Sequence, residues 1–137
     1  LKIKGEDKHS YIKIHVDKDD DMGVRFSVET QSRGISADFG GIYIVTSDIT
    51  EFLSALRKLE NKRSGEACLK SASPEEFNLS VRTVNRRGHI LVSLRMKDLS
   101  YYEDLMIPCS IEVCFGIDPT TLPELLKQCE QLEWDTV

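Results

Sequence analysis

No apolar run in this chain approaches the roughly 18 residues that a membrane span requires. It also lacks a glycine loop able to cradle phosphate: Gly40-Gly41 has neither the helix opening nor the Lys that such loops use. Its histidines, His9, His15 and His89, show no HxH or HxxxH spacing, which argues against zinc. Positive charge is scarce, with a formal net charge of −5, and aromatics make up only 7% of residues. A general nucleic-acid binder would need clustered Lys and Arg with interleaved aromatics, so that class is not expected. The start, Leu1-Lys2-Ile3-Lys4-Gly5, alternates like a short strand and has no signal-peptide pattern.

Cysteine is present but modest. Cys68, Cys109, Cys114 and Cys129 are spread over a 137-residue chain long enough to bury a core without staples. Most sit in strand or helix patterns where a small apolar residue would serve equally well. They are expected to be reduced and buried, which fits a cytoplasmic protein.

What the chain does contain is one helix pattern written twice. Asp48-Ile49-Thr50-Glu51-Phe52-Leu53 aligns with Thr121-Leu122-Pro123-Glu124-Leu125-Leu126, and the match continues through Leu56 with Cys129, Leu59 with Leu132 and Glu60 with Glu133. Each copy opens with a residue suited to cap a helix, Asp48 or Thr121, followed three positions on by a Glu, as in a capping box. The apolar positions fall on one helical face. The first helix is expected over about Ile49 to Lys62, the second to about Leu132 with Trp134 beyond.

Strand patterns precede each helix. Ile12, Ile14 and Val16 alternate with polar neighbours, as do Val24, Phe26 and Val28, and the acidic turn Asp17–Gly23 joins them into a hairpin. Ile35 to Val45 forms a third run, broken by Gly40-Gly41, which suggests a bulge. In the second half, Ala67 and Leu69, then Leu79 and Val81, then Ile90, Val92, Leu94 and Met96 repeat the alternation, with a tight turn at Asn85–Gly88. Asp98 to Asp104 reads as a polar loop, and Ile107 to Ile117 as the longest alternating run. The expected class is α+β: an antiparallel sheet of about seven to eight strands covered by two amphipathic helices, in the order strands–helix–strands–helix. A single domain over 1–137 is expected, with pseudo-repeated halves at 1–63 and 64–137.

Candidate chemistry is thin. Asp17, Asp19 and Asp21 match the first, third and fifth ligand positions of a calcium loop, but the glycine is one residue late and Val28 stands where a bidentate Glu belongs. A solvated hairpin turn explains the pattern better, and an acidic patch facing a partner protein is a third reading. Nothing in the sequence around Cys109 or Cys114 supplies the helix N-terminus or cationic neighbours that would activate either as a nucleophile with His89, and Cys109 falls in register with the buried face. Arg82, Arg86, Arg87, Arg95 and Lys97 concentrate around one turn without aromatics, as on a charged hairpin. Tyr101-Tyr102-Glu103-Asp104 fits either a recognition loop or two rings tucked against the sheet.

One resemblance adds to this. A helix leading into Ser64-Gly65-Glu66-Ala67-Cys68-Leu69, a Gly88-His89-Ile90-Leu91-Val92 hairpin and the closing Phe115-Gly116-Ile117-Asp118-Pro119-Thr120-Thr121-Leu122 together resemble small bacterial proteins grouped with the WapI-type immunity proteins of polymorphic toxin systems. The resemblance covers about two-thirds of the chain and carries over no catalytic residue or cofactor. It implies a cytoplasmic, non-enzymatic antidote that binds a toxin domain, a nuclease acting on RNA being one such domain, while the charge balance and short apolar runs lead us to expect neither a nucleic-acid nor a membrane partner. Asp17, Asp19, Asp20 and Asp21, with Glu103 and Asp104 second, are the expected partner-binding residues, since an acidic surface complements a basic working face. A small-ligand-binding or scaffold protein without a toxin partner is the alternative.

Overall fold

The computed structural model describes residues 1–73 and 75–131, apart from the side chains of Lys18 and Asp19. The expectations for Leu132, Glu133 and Trp134 lie outside the described residues. The strands divide into two four-stranded antiparallel sheets, each a simple meander. The first comprises β1 (Lys2–Lys4), β2 (Tyr11–Asp19), β3 (Gly23–Ser32) and β4 (Ile35–Val45), followed by helix α1 (Thr46–Lys62). The second comprises β5 (Glu66–Lys70), β6 (Phe77–Thr83), β7 (Ile90–Tyr102) and β8 (Leu105–Ile117), followed by a 3-10 turn (Pro119–Thr121) and helix α2 (Leu122–Gln131). The expected α+β class, strand number and element order all hold.

Alternation decides what each strand buries. Ile12, Ile14, Val24, Phe26, Val28, Ile42 and Ile44 from the first sheet share one core with Leu69, Phe77, Leu79, Val81, Val92 and Leu94 from the second. Phe26 and Phe77 meet edge to face across the sheets, with ring centroids 5.2 Å apart. Such a pair contributes about 0.5–1.5 kcal/mol beyond its area burial. The helix echo is visible in the packing: Ile49, Phe52 and Leu56 of α1 are buried, as are their counterparts Leu122, Leu125 and Cys129 in α2. The helices touch each other, and the Arg57–Glu130 ion pair at 2.9 Å bridges them on the surface.

The helix starts differ from the expected capping boxes. Helix α1 begins at Thr46, so Asp48 lies inside its first turn, and the flanking Val45 makes no side-chain cap. The chain enters this helix directly from β4, and the Met22 carbonyl takes the Thr46 N–H at 2.9 Å. In the second half Asp118, not Thr121, is the cap. It accepts from the Thr120 backbone N–H at 2.9 Å, and the turn that it caps runs into α2. These bonds favour the anion and hold the Asp118 carboxyl below the usual carboxylate range. In both cases an upstream hydrogen bond claims the helix start before the downstream box can form.

The paired glycines do make a bulge. Phe26 pairs with Ile42 and Val28 with Phe39, leaving Gly40 and Gly41 opposite Ser27 alone. Gly41 has φ +69°, a conformation that favours a residue without Cβ.

Candidate functional site

The β7–β8 hairpin is much longer than the strands beside it. Its residues pair without slip from Ile90 with Ile117 to Tyr102 with Leu105. The neighbouring strand β6 has only 7 residues against 13 in β7, and its last partner is Met96. From Asp98 to Cys109 the hairpin therefore leaves the body as a two-stranded arm, about 17 Å long at roughly 3.4 Å per residue. Glu103 and Asp104 form its two-residue turn, with Glu103 in a left-handed conformation at φ +57°.

The expected polar loop over Asp98–Asp104 is thus corrected to the end of a strand and a tight turn. Cys109 and Ile107 do lie on the face that continues the core, but no described element reaches far enough to cover them, and both are exposed. The expectation that all the cysteines are buried holds only for Cys129; Cys68 and Cys114 are half-buried. Cys109 pairs with Asp98, well along β7 from the root where His89 precedes Ile90, so these two do not meet, and the Cys114 thiol donates to the Ser93 hydroxyl at 3.3 Å.

Both faces of the arm carry large apolar groups into water. Leu99, Tyr101 and Met106 share one face, with Pro108, and Tyr102, Leu105 and Ile107 share the other, as their cross-strand pairing requires. These six account for most of the large hydrophobic side chains exposed among the described residues; Met22, Ile35 and Val84 are the others. Tyr101 is 72% exposed and Tyr102 67%, so neither ring is tucked against the sheet. The arm also holds Asp98, Glu103 and Asp104 and no Lys or Arg. Exposed apolar surface of this density, rimmed by one sign of charge, is characteristic of an interaction site.

The acidic turn between β2 and β3 lies towards the root of this arm. A line of contacts leads there: Asp20 accepts from the Tyr43 hydroxyl at 3.4 Å, the Tyr43 carbonyl takes the Ala72 N–H at 2.9 Å, and Glu76, further along that connection, takes the Lys97 N–H on its carbonyl at 3.0 Å. The turn's own carboxylates have different jobs. Asp20 accepts the N–H groups of Met22 at 2.8 Å and Gly23 at 2.9 Å, so it shapes the turn. Asp17 is the extra residue of a bulge between Val16 and Lys18, and it and Asp21 are exposed beside the 72%-exposed Met22. Asp19 is placed by its backbone at the end of β2. Glu103 and Asp104 stand apart from this group, at the tip of the arm.

No three His, Cys, Asp or Glu side chains among the described residues converge as metal ligands, and no described helix is long and apolar enough to cross a membrane. The basic residues scatter: Arg95 pairs with Glu112 at 3.3 Å and Lys97 with Glu75 at 3.2 Å. Arg86 and Arg87 instead join Lys62 and Arg63 around a shallow hollow at the far end of the hairpin.

A family model for WapI-like immunity proteins matches residues 2–133. The chain belongs to that family. Membership gives this WapI-like protein an immunity function, and among the described residues most of its exposed large apolar side chains stand on the hairpin arm. Neither curated proteins nor solved structures offer a match. Sequence reasoning missed Leu99, Leu105, Met106 and Ile107 as surface groups. The usable signal was length, because an alternating run that outlasts every neighbouring strand must overhang the sheet.

Proposed function

We propose that this immunity protein neutralises a toxin domain by binding it without catalysis, in the cytoplasm, through the end of the molecule that carries the arm and the acidic turn. The observation that supports this reading is the arm itself: six large apolar side chains held in water with three carboxylates and no cation. Keeping such groups exposed lowers solubility and adds nothing to the fold, so they fit a surface that is dry only in a complex. Tyrosine suits it well, giving large contact area for little lost rotamer entropy.

The acidic balance indicates the partner's sign. Asp17, Asp19 and Asp21 near the root and Glu103 and Asp104 at the tip complement a basic face, as a nuclease that holds phosphates would present. Asp20 contributes by shaping the turn. Titrating the toxin's activity with the purified protein tests the reading. Inhibition is expected to finish at one chain per toxin domain, whereas protection at a small fraction of that ratio would mean turnover and would overturn it.

A further inference from the structure

β6 stops where the arm begins. Its last cross-strand pair with β7 is Phe77 with Met96, and Lys97 then donates its backbone N–H to the Glu76 carbonyl at 3.0 Å. That bond points away from β8. Peptide groups along a strand alternate in direction with period two, so Leu99 and Tyr101 turn their N–H and C=O groups to the same side as Lys97. No described strand lies there. The lane that β6 occupied beside β7 is vacant next to the arm.

The other edge of the arm is less suited to a new strand. On β8 the outward-facing groups belong to the even-numbered residues. The Gly116 carbonyl takes the Glu6 N–H at 2.9 Å, and the Cys114 carbonyl takes the Arg33 guanidinium at 3.2 Å. Further out stands Pro108, which has no N–H to give and is the kind of residue that blunts an exposed edge. β7 carries no proline along its bare edge.

A shallow notch of about 580 Å³ opens at the head of the vacant lane, between Ser73, Glu75, Glu76, Lys97, Asp98 and Leu99. Its charges do not balance. Lys97 is engaged by Glu75, while Glu76 is pushed above the usual carboxylate range, first by burial and then by the charge of Asp98, with Arg25 opposing only in part. The half-buried Glu76 carboxylate with the Asp98 carboxylate lining the same notch makes a favourable place for a cation.

We propose that the toxin domain adds a strand to the open β7 edge, an extended segment hydrogen-bonded to Leu99 and Tyr101 with a basic side chain reaching Glu76 and Asp98. The inference rests on the reading that this chain binds a toxin domain. Strand addition takes affinity from main-chain bonds and specificity from alternate side chains. Residues of the incoming segment opposite Leu99 and Tyr101 are apolar, matching that face of the arm. Charge selects the occupant. A second copy of this chain would bring another Asp98, Glu103 and Asp104 to a stretch that has no cation, whereas a basic segment neutralises it.

Residue-resolved amide exchange of the whole chain, alone and with its toxin domain, tests this. In the isolated protein the Leu99 and Tyr101 amides should exchange quickly while those of Ser100 and Tyr102, bonded to β8, are protected; in the complex Leu99 and Tyr101 should slow by at least roughly tenfold. Leu99→Pro removes one outward N–H without touching the β8 ladder. It should weaken binding about tenfold relative to Leu99→Ala, which keeps that N–H. A complex in which both amides stay fast, or Leu99→Pro and Leu99→Ala variants of equal affinity, overturns strand addition and leaves the docking reading standing. No complex with the toxin domain overturns both. Protection that grows with the concentration of the chain alone assigns the edge to a second copy instead.

Discussion

The root and the tip of the β7–β8 hairpin are made alike and live in opposite surroundings. At the root, Ile90, Val92, Leu94, Met96, Val113, Phe115 and Ile117 are no more than 6% exposed; at the tip, Leu99, Tyr101, Tyr102, Leu105, Met106 and Ile107 are at least 41% exposed. Register and pairing continue across the boundary without a break, although the apolar residues of β7 pass from one face at Met96 to the other at Leu99. The neighbours change as well, because β6 ends and no described helix covers the tip. An apolar side chain on a strand therefore reports a preference for cover, and the rest of the fold decides whether cover exists. At the root the fold supplies it. At the tip no described element does.

The sharpest way to separate the two ends is to truncate a leucine in each. Leu94→Ala empties part of the core and should cost about 2–5 kcal/mol of stability in urea unfolding. Leu105→Ala should stay within about 0.5 kcal/mol of the parent. Equal costs would mean that the arm is packed in solution and the contrast is false.

Affinity should show the reverse order. Tyr101→Ala is expected to weaken toxin binding by about 2 kcal/mol, as loss of a central aromatic anchor does, with an unchanged melting temperature. Calorimetric titration would show it; unaltered binding would remove the tip from the interface.

Charge near the root should act more gently. Asp17→Asn with Asp21→Asn should slow association a few-fold at low salt and leave dissociation nearly unchanged, the gap closing as salt rises. Asp20→Ala should instead lower stability by about 1 kcal/mol, because two backbone N–H groups lose their acceptor. Stopped-flow binding and urea titration distinguish the two roles.

A further effect concerns pH, shows only in alkaline solution and belongs wholly to the packed body. Burial pushes the Cys129 thiol up to about 12 from an ordinary 9.0. Between those values the unfolded chain ionises its thiol while the folded chain keeps it protonated, so Cys129 contributes stability below pH 9.0 that is lost as pH rises towards about 12. The urea midpoint of the parent should fall towards that of Cys129→Ala over this range, and a constant gap would contradict the assignment.

These contrasts also mark what could be read from the chain beforehand. Period-two alternation located almost every strand, and the helix echo identified the buried positions Ile49, Phe52, Leu56, Leu122, Leu125 and Cys129. The separation into two sheets was not legible, because alternation gives each strand a wet and a dry side without naming its neighbour. The arm was hidden for a local reason. Its turn is built from Glu103 and Asp104, with Glu103 left-handed and no Gly or Asn to announce a tight hairpin, so the acidic and tyrosine-rich stretch looked like a loop. The caps were misplaced because Asp118 and the Met22 carbonyl act on backbone that the box residues Asp48 and Thr121 do not control.

Removing the arm and keeping its root is the most direct trial of the idea that the tip exists for the toxin. Asp98 and Cys109 face each other across the hairpin, so an Asn-Gly turn can join them in place of residues 99–108. The trimmed protein should melt with the parent and fail to neutralise the toxin domain at any ratio. A trimmed protein that is folded and still neutralises the toxin at one to one would show that the working surface lies elsewhere.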